Sequence, residues 1–334
     1  MMKWILFLFV NVLASANVQR QNVKQEGSIL DVLTEMGLTT VLELIEAAGL
    51  SEALDTDPGP MTVFVPVADS LSQELVDFLL SDVELLTDLL TYHVVVDQAL
   101  LSSDLSNELV LPTAQGTTLR INIYDVDPTG TVYSVNGVPI DLSQVDISAS
   151  NGVIHFMFYM LLQVPIGDTV ETAQFLANSI GDYGNILYAA DQLGLLPMFS
   201  AIMLKAIPDD NPRYVPSGEW GFTIIVLEME TMTGLLPSDE FFSMDMIEDL
   251  LANDRETLME ILMDHGTVGS YFGISIGERR EFSTLSGRTL IVQEVEGEYL
   301  IQDSEGNQLS KITGGDIPCT NGVVHSLDMP IIFP

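Results

Sequence analysis

The chain has 334 residues, 47% of them hydrophobic, enough apolar material for two packed domains at roughly 100–200 residues each. Its 48 Asp and Glu outnumber 11 Lys and Arg, for a formal net charge of −37. A surface of that sign repels phosphate backbones, which excludes nucleic acid as a partner, and it attracts cations and basic partners.

The chain opens MMKWILFLFVNVLASANVQRQ. Lys3, the apolar run Trp4 to Leu13 and the small-x-small tripeptide Ala14-Ser15-Ala16 have the layout of a secretory signal peptide over residues 1–16. The run is too short for a stable membrane span, and MPIIFP near the end is too short for an anchor tail. The expectation is a secreted, extracellular protein without a membrane anchor. No Asn-x-Ser/Thr sequon occurs, so N-glycosylation is not expected.

VLELIEAAGLSEAL (Val41–Leu54) places apolar residues at helical spacing and carries Gly-Leu where a helix ends. MTVFVPVADSL (Met61–Leu71) is a nearly continuous apolar run rich in β-branched residues and predicts a buried strand. LLTYHVV comes next, with Tyr92 and His93. TTLRINIY, TVYSV and VPI, separated by turn signals at DVDPTG and Asn136-Gly137, predict antiparallel hairpins. The stretch closes on DISASNGVIH (Asp146–His155).

The same order then recurs. ILYAADQLGLLPMF (Ile186–Phe199) resembles the first helical stretch, and FTIIVLEMETM (Phe222–Met232) resembles the buried strand. RETLMEILMDHGTV (Arg255–Val268) resembles the Tyr-His stretch. RTLIVQEV, YLIQD and LSKI, with turns at EGE and SEGNQ, resemble the hairpins, and DIPCTNGVVH (Asp316–His325) resembles the close. The four histidines pair off, His93 with His265 and His155 with His325. The chain therefore reads as two α+β domains, residues 27–165 and 166–334, each with helices followed by antiparallel hairpins. The second copy is divergent. Leu227 stands where the first has Pro66, Asp264 where it has Tyr92, and MLKAIPDDNPRYVPSGEW is extra. SDEFFSMDMIEDLLANDRETLMEILMD (Ser238–Asp264) predicts two amphipathic helices with solvated acidic faces.

No histidine has a second His or a Cys near it, so no metal site and no cofactor is expected. Asn151-Gly152 before His155 and Asn321-Gly322 before His325 predict a tight turn into a buried strand whose polar member finds a hydrogen bond. Asp125, Asp127 and Thr129 are spaced like the start of a calcium loop. The twelfth position is Asn136 rather than Glu, and strands flank it, so the turn is a weak calcium candidate. Diffuse Ca²⁺ association with the many carboxylates is the broader expectation, and an acidic calcium- or mineral-associated matrix protein is one functional alternative. GISIG (Gly273–Gly277) fits G-x-S-x-G, which makes Ser275 a remote serine-hydrolase candidate. The residues after it, ERREFSTLSGRTLIV, read as loop then strand, where a nucleophile elbow needs a helix. Cys319 is the single cysteine and aligns with Ala149. That suits a small buried position, the alternative being an intermolecular disulfide.

TVFVPVADS, LLTYHVV and the two closing stretches DISASNGVIHFMFYMLLQVP and DIPCTNGVVHSLDMPIIFP together resemble the signatures of the fasciclin-type domain, the repeated extracellular module of fasciclin I, periostin and keratoepithelin. The resemblance implies two tandem domains, each a wedge of antiparallel strands in two sheets packed with several helices. It implies adhesion or matrix association through protein–protein contacts, and no catalysis. It implies extracellular matrix proteins or integrin-like cell-surface receptors as partners, and it is compatible with self-association. Carried over by position, the implied partner contacts are Tyr92, His93, Asp146, Ile147, Asp316 and Ile317.

Overall fold

The computed structural model describes residues 27–126, 130–162, 165, 167–200, 213–215, 224–226, 232–276 and 279–334. The expected signal peptide, residues 1–16, lies outside them. The chain divides into two units, one running to residue 164 and one from Pro165 to Pro334.

The first unit begins with helices Ile29–Glu35, Thr39–Ala47 and Ser51–Thr56. Ser28 caps the first, with its side chain accepting from Asp31 N while Asp31 accepts from Ser28 N in a capping box. Strand Met61–Pro66 comes next, then helices Gln73–Ser81 and Val83–Tyr92. Ser72 and Asp82 cap these two through the N–H of Leu75 and Leu85. The β-rich remainder forms two sheets. One runs Val94–Val95, Met61–Pro66, Gly152–Met157, Ile147–Ala149 across its width. The other runs Leu109–Pro112, Thr118–Val126, Gly130–Val135, Val138–Pro139.

The sheets are antiparallel except for one pair. Met61–Pro66 lies parallel to Gly152–Met157, so the unit's first strand sits beside its last, in register from Met61↔Gly152 to Pro66↔Met157. This parallel pair is buried on both faces, which is why both strands lack simple polar–apolar alternation. Met61, Val63, Val65, Ile154 and Phe156 face a core shared with Ile29, Leu33, Leu44 and the other helices. Phe64 and Met157 face the opposite way, into a core with Tyr92, Leu119, Ile121 and Val135. Gly152 has no alternative: a Cβ there would lie 2.2 Å from the carbonyl oxygen of Met61.

The second unit repeats this plan. Helices Thr169–Ile180, Gly184–Gln192 and Leu196–Ser200 precede strand Met232–Pro237, and helices Met244–Asn253 and Arg255–Asp264 come after it. Ser243 and Asp254 cap the last two as Ser72 and Asp82 cap theirs. Met232–Pro237 pairs parallel with Gly322–Leu327, from Met232↔Gly322 to Pro237↔Leu327. The long strand Gln308–Cys319 pairs with Glu298–Gln302 at one end and with Gly322–Leu327 at the other, joining seven strands into one sheet.

Three sequence expectations are corrected. The counterpart of Met61–Pro66 is Met232–Pro237, so Pro237, not Leu227, stands where Pro66 stands. Ile224–Val226, the apolar heart of the stretch first matched to that strand, instead pairs locally with Arg213–Val215. A strand's identity lies in its partners, and the Gly-interrupted MTGLLP hides a buried strand better than FTIIV advertises one. The remainder of the extra segment and Leu227 lie outside the described residues. Arg279–Ser283, read as loop, is a strand paired with Thr289–Val295. Finally, each domain holds a parallel pair that hairpin signals could not predict.

One asparagine holds each first helix to the closing turn. Asn151 Oδ1 accepts from Ile29 N at 2.9 Å, and its Nδ2 donates to Leu54 O and Asp57 O at 3.0 and 3.1 Å. Asn321 repeats this with Thr169 N at 2.8 Å and Phe199 O at 3.2 Å. Asn151→Ala leaves three backbone groups short of a partner and is expected to destabilise the first domain by about 3 kcal/mol in urea unfolding. A loss below about 1 kcal/mol would mean that these groups find other partners.

Candidate functional site

The closing hairpin brings the signature residues together in both domains. His155 projects between the two sheets and stacks on Phe64, ring centroids 5.7 Å apart. Its Nε2 donates to Leu100 O at 2.8 Å, and its Nδ1 accepts from Asp146 N at 3.3 Å. His325 does the same with Tyr271 O at 2.8 Å and Asp316 N at 3.2 Å. His93 and His265, at the ends of the second helix pairs, use the opposite tautomer. His93 Nδ1 donates to Leu89 O and His265 Nδ1 to Ile261 O; their Nε2 atoms accept from Leu161 N and Ile331 N at 2.9 and 3.0 Å. Every ring nitrogen is thus spent on the backbone, as a neutral imidazole allows. Burial pushes His93 and His265 down to about 4, and it lowers His155 as well.

Asp146 and Asp316 adopt positive φ of 61° and 57°, a conformation that Asp tolerates better than most residues. The Asp146 carboxylate accepts from Ser102 N and Ser102 Oγ at 2.5 and 2.7 Å, and Asp316 Oδ1 accepts from Gly273 N at 2.6 Å. Each therefore ties the closing hairpin to a short 3₁₀ turn, Ser102–Asp104 or Gly273–Ser275. The two aspartates and Ile147 and Ile317 are partly buried at equivalent places, the isoleucines packed against the helical cores.

Tyr92 and His93 are a correction to the expected contact set. Tyr92 is fully buried; its hydroxyl donates to Thr118 O at 3.0 Å and accepts from Asn136 Nδ2, and burial pushes its phenol far up. Neither side chain reaches a partner in the folded domain. Asp264, in place of Tyr92, is equally buried but solves the site with charge. Arg288 donates to it at 2.7 Å, and Thr284 and Ser286 hydroxyls donate to it as well.

Asp125 accepts from Thr131 Oγ1 at 2.9 Å within its hairpin, while Asp127 and Thr129 lie outside the described residues. No group of three or more His, Cys, Asp or Glu placed to hold a metal occurs among the described residues. Ser275 ends a 3₁₀ turn, is buried, and leads to the strand Arg279–Ser283, so it does not sit on a nucleophile elbow. Cys319 is buried in the helical core and forms no disulfide, and its Sγ lies 3.4 Å from Thr172 Oγ1. No helix among the described residues is long and apolar enough to cross a membrane.

A family model described as the fasciclin domain matches residues 36–163 and 223–333. The chain belongs to the fasciclin domain family. Transforming growth factor-beta-induced protein ig-h3 of Sus scrofa is 29% identical over 185 residues, covering 52% of this chain and 26% of that protein. Its Oryctolagus cuniculus counterpart is 28% identical over 180 residues, 51% of this chain and 25% of that protein. The chain thus spans about a quarter of the length of these curated relatives. A solved FAS1 domain pair from the insect cell adhesion molecule fasciclin I aligns over 91% of this chain and 95% of that one, at 16% identity and a TM-score of 0.38.

Neutral buried histidines in the fasciclin domains set a direction of pH dependence. Unfolded imidazoles take up protons below about 6.5. Native His93 and His265 do so only near 4, so their contribution to stability is complete above about 6.5 and is lost as pH falls toward 4. Relief of repulsion among the 48 carboxylates acts in the opposite sense, so the rings are best followed directly. In an NMR titration, the His93 and His265 ring signals are expected to stay at their neutral positions from pH 7.5 to about 5. Midpoints near 6.5 would contradict the buried, neutral assignment.

Proposed function

We propose that the protein is secreted and acts outside the cell as an adhesion or matrix-associated protein, by protein–protein contact rather than catalysis. The carrying observation is the pair of partly accessible Asp-Ile steps, Asp146-Ile147 and Asp316-Ile317, at the same place in two fasciclin domains whose histidines and Asn-Gly turns are used up internally. The apolar run and Ala14-Ser15-Ala16 at the start of the chain support secretion. Matrix proteins or integrin-like receptors suit the family reading, and a net charge of −37 favours partners with a basic surface.

The test uses the whole mature chain immobilised on a surface. Cells or matrix proteins should attach above the level of a denatured control. The double variant Asp146→Asn, Asp316→Asn keeps an oxygen for the Ser102 N and Gly273 N bonds but removes both carboxylates. With unchanged melting, it should weaken attachment about tenfold. Attachment by wild type no better than the denatured control would end the proposal, and full attachment by the variant would move the contact away from these steps.

A further inference from the structure

The first domain keeps a cavity of about 140 Å³ between its N-terminal helices and its central sheet. Leu33, Val41, Ile45, Leu54, Val63 and Val65 form its wall. The second domain keeps a cavity at the same place, lined at the equivalent positions by Ala173, Ile186, Ala190, Phe199, Gly234 and Leu236, but of only about 50 Å³. The correspondence is anchored by shared bonds: Asn151 donates to Leu54 O where Asn321 donates to Phe199 O.

Protein interiors rarely hold voids larger than a water molecule, and water gains nothing in a wall without free polar groups. The polar lining groups His93 and Thr91 are satisfied: both nitrogens of His93 are bonded, and Thr91 Oγ1 donates to Thr87 O at 2.7 Å. A dry apolar cavity of about 150 Å³ is large enough for benzene. The exposed lining residues Ala53, Asp57 and Ala114 mark where the first cavity reaches solvent. Asp57 is the charged group there, with Oδ1 accepting from Gly59 N.

We propose that the first domain binds a small apolar molecule in this cavity. A benzene-sized ring or short alkyl end enters among Leu33, Ile45, Leu54 and Val63, and a neutral or cationic group stays at the mouth beside Asp57. Anionic amphiphiles are disfavoured by that carboxylate and by the charge of the whole chain.

The experiment titrates the full mature protein with benzene, n-hexylamine and hexanoate while following its NMR spectrum. Benzene and hexylamine should give saturable shifts confined to the cavity wall, with hexylamine about fivefold tighter than hexanoate. Leu54→Phe, which copies Phe199, should abolish the shifts. Asp57→Asn should leave benzene binding intact and reduce the preference for the amine, so the test does not depend on the core variant folding. Absence of saturable shifts with benzene and hexylamine would overturn the proposal. So would shifts that survive in a folded Leu54→Phe variant, or hexanoate binding as tightly as hexylamine.

Discussion

Each domain depends on an asparagine that reaches across nearly the whole length of its own sequence. Asn151 accepts the N–H of Ile29 and gives both amide protons to Leu54 and Asp57 carbonyls, so the last hairpin supplies what the first and third helices lack. A helix start leaves N–H groups without partners inside the helix. Here Ser28 and Asp31 satisfy each other in a capping box and the distant amide satisfies the next group in line. Asp168, Glu171 and Asn321 reproduce the arrangement. Since the Asn-Gly turn also starts the strand that pairs with Met61–Pro66 or Met232–Pro237, one short turn closes the sheet and docks the helices together.

That parallel pair is the wall between two cores, and the differences between the copies depend on which side a residue faces. On the sheet side, Tyr92 is held by Thr118 and Asn136, whereas its counterpart Asp264 is held by Arg288, Thr284 and Ser286. A buried carboxylate without a partner would be costly, so Asp264 and Arg288 form one solution and neither could stand alone. On the helical side, Leu54 and Phe199 occupy the same position, and the cavities beside them differ in size. The second domain is thus a re-solved copy, with backbone pairings retained and side-chain solutions exchanged.

The same economy shapes the functional reading. Residues that resemble catalytic or metal-binding material in the sequence, the histidines above all, are consumed by the fold. An acid and an aliphatic side chain, Asp146 with Ile147 and Asp316 with Ile317, stay partly accessible at a repeated place at the base of the closing hairpin. Their backbones are constrained by positive φ and by bonds to the neighbouring 3₁₀ turns. A contact surface built there is presented rigidly and loses little freedom on binding.

The repeat, the order of helices and hairpins and the Asn136-Gly137 turn were legible in the sequence, because helical spacing, β-branched runs and turn residues are local signals. The family resemblance was carried by short words such as NGVIH and NGVVH for the same reason. Tertiary structure alone decided that Met232–Pro237, not the more apolar Phe222–Met232, is the second central strand, since only pairing with Gly322–Leu327 defines it. It also decided that Tyr92 and His93 face inward, that Asp264 needs Arg288, and that an apolar cavity lies under the first three helices. Each of these rests on contacts between residues far apart in the chain. A local pattern specifies which face of an element is apolar, but not what will be packed against it.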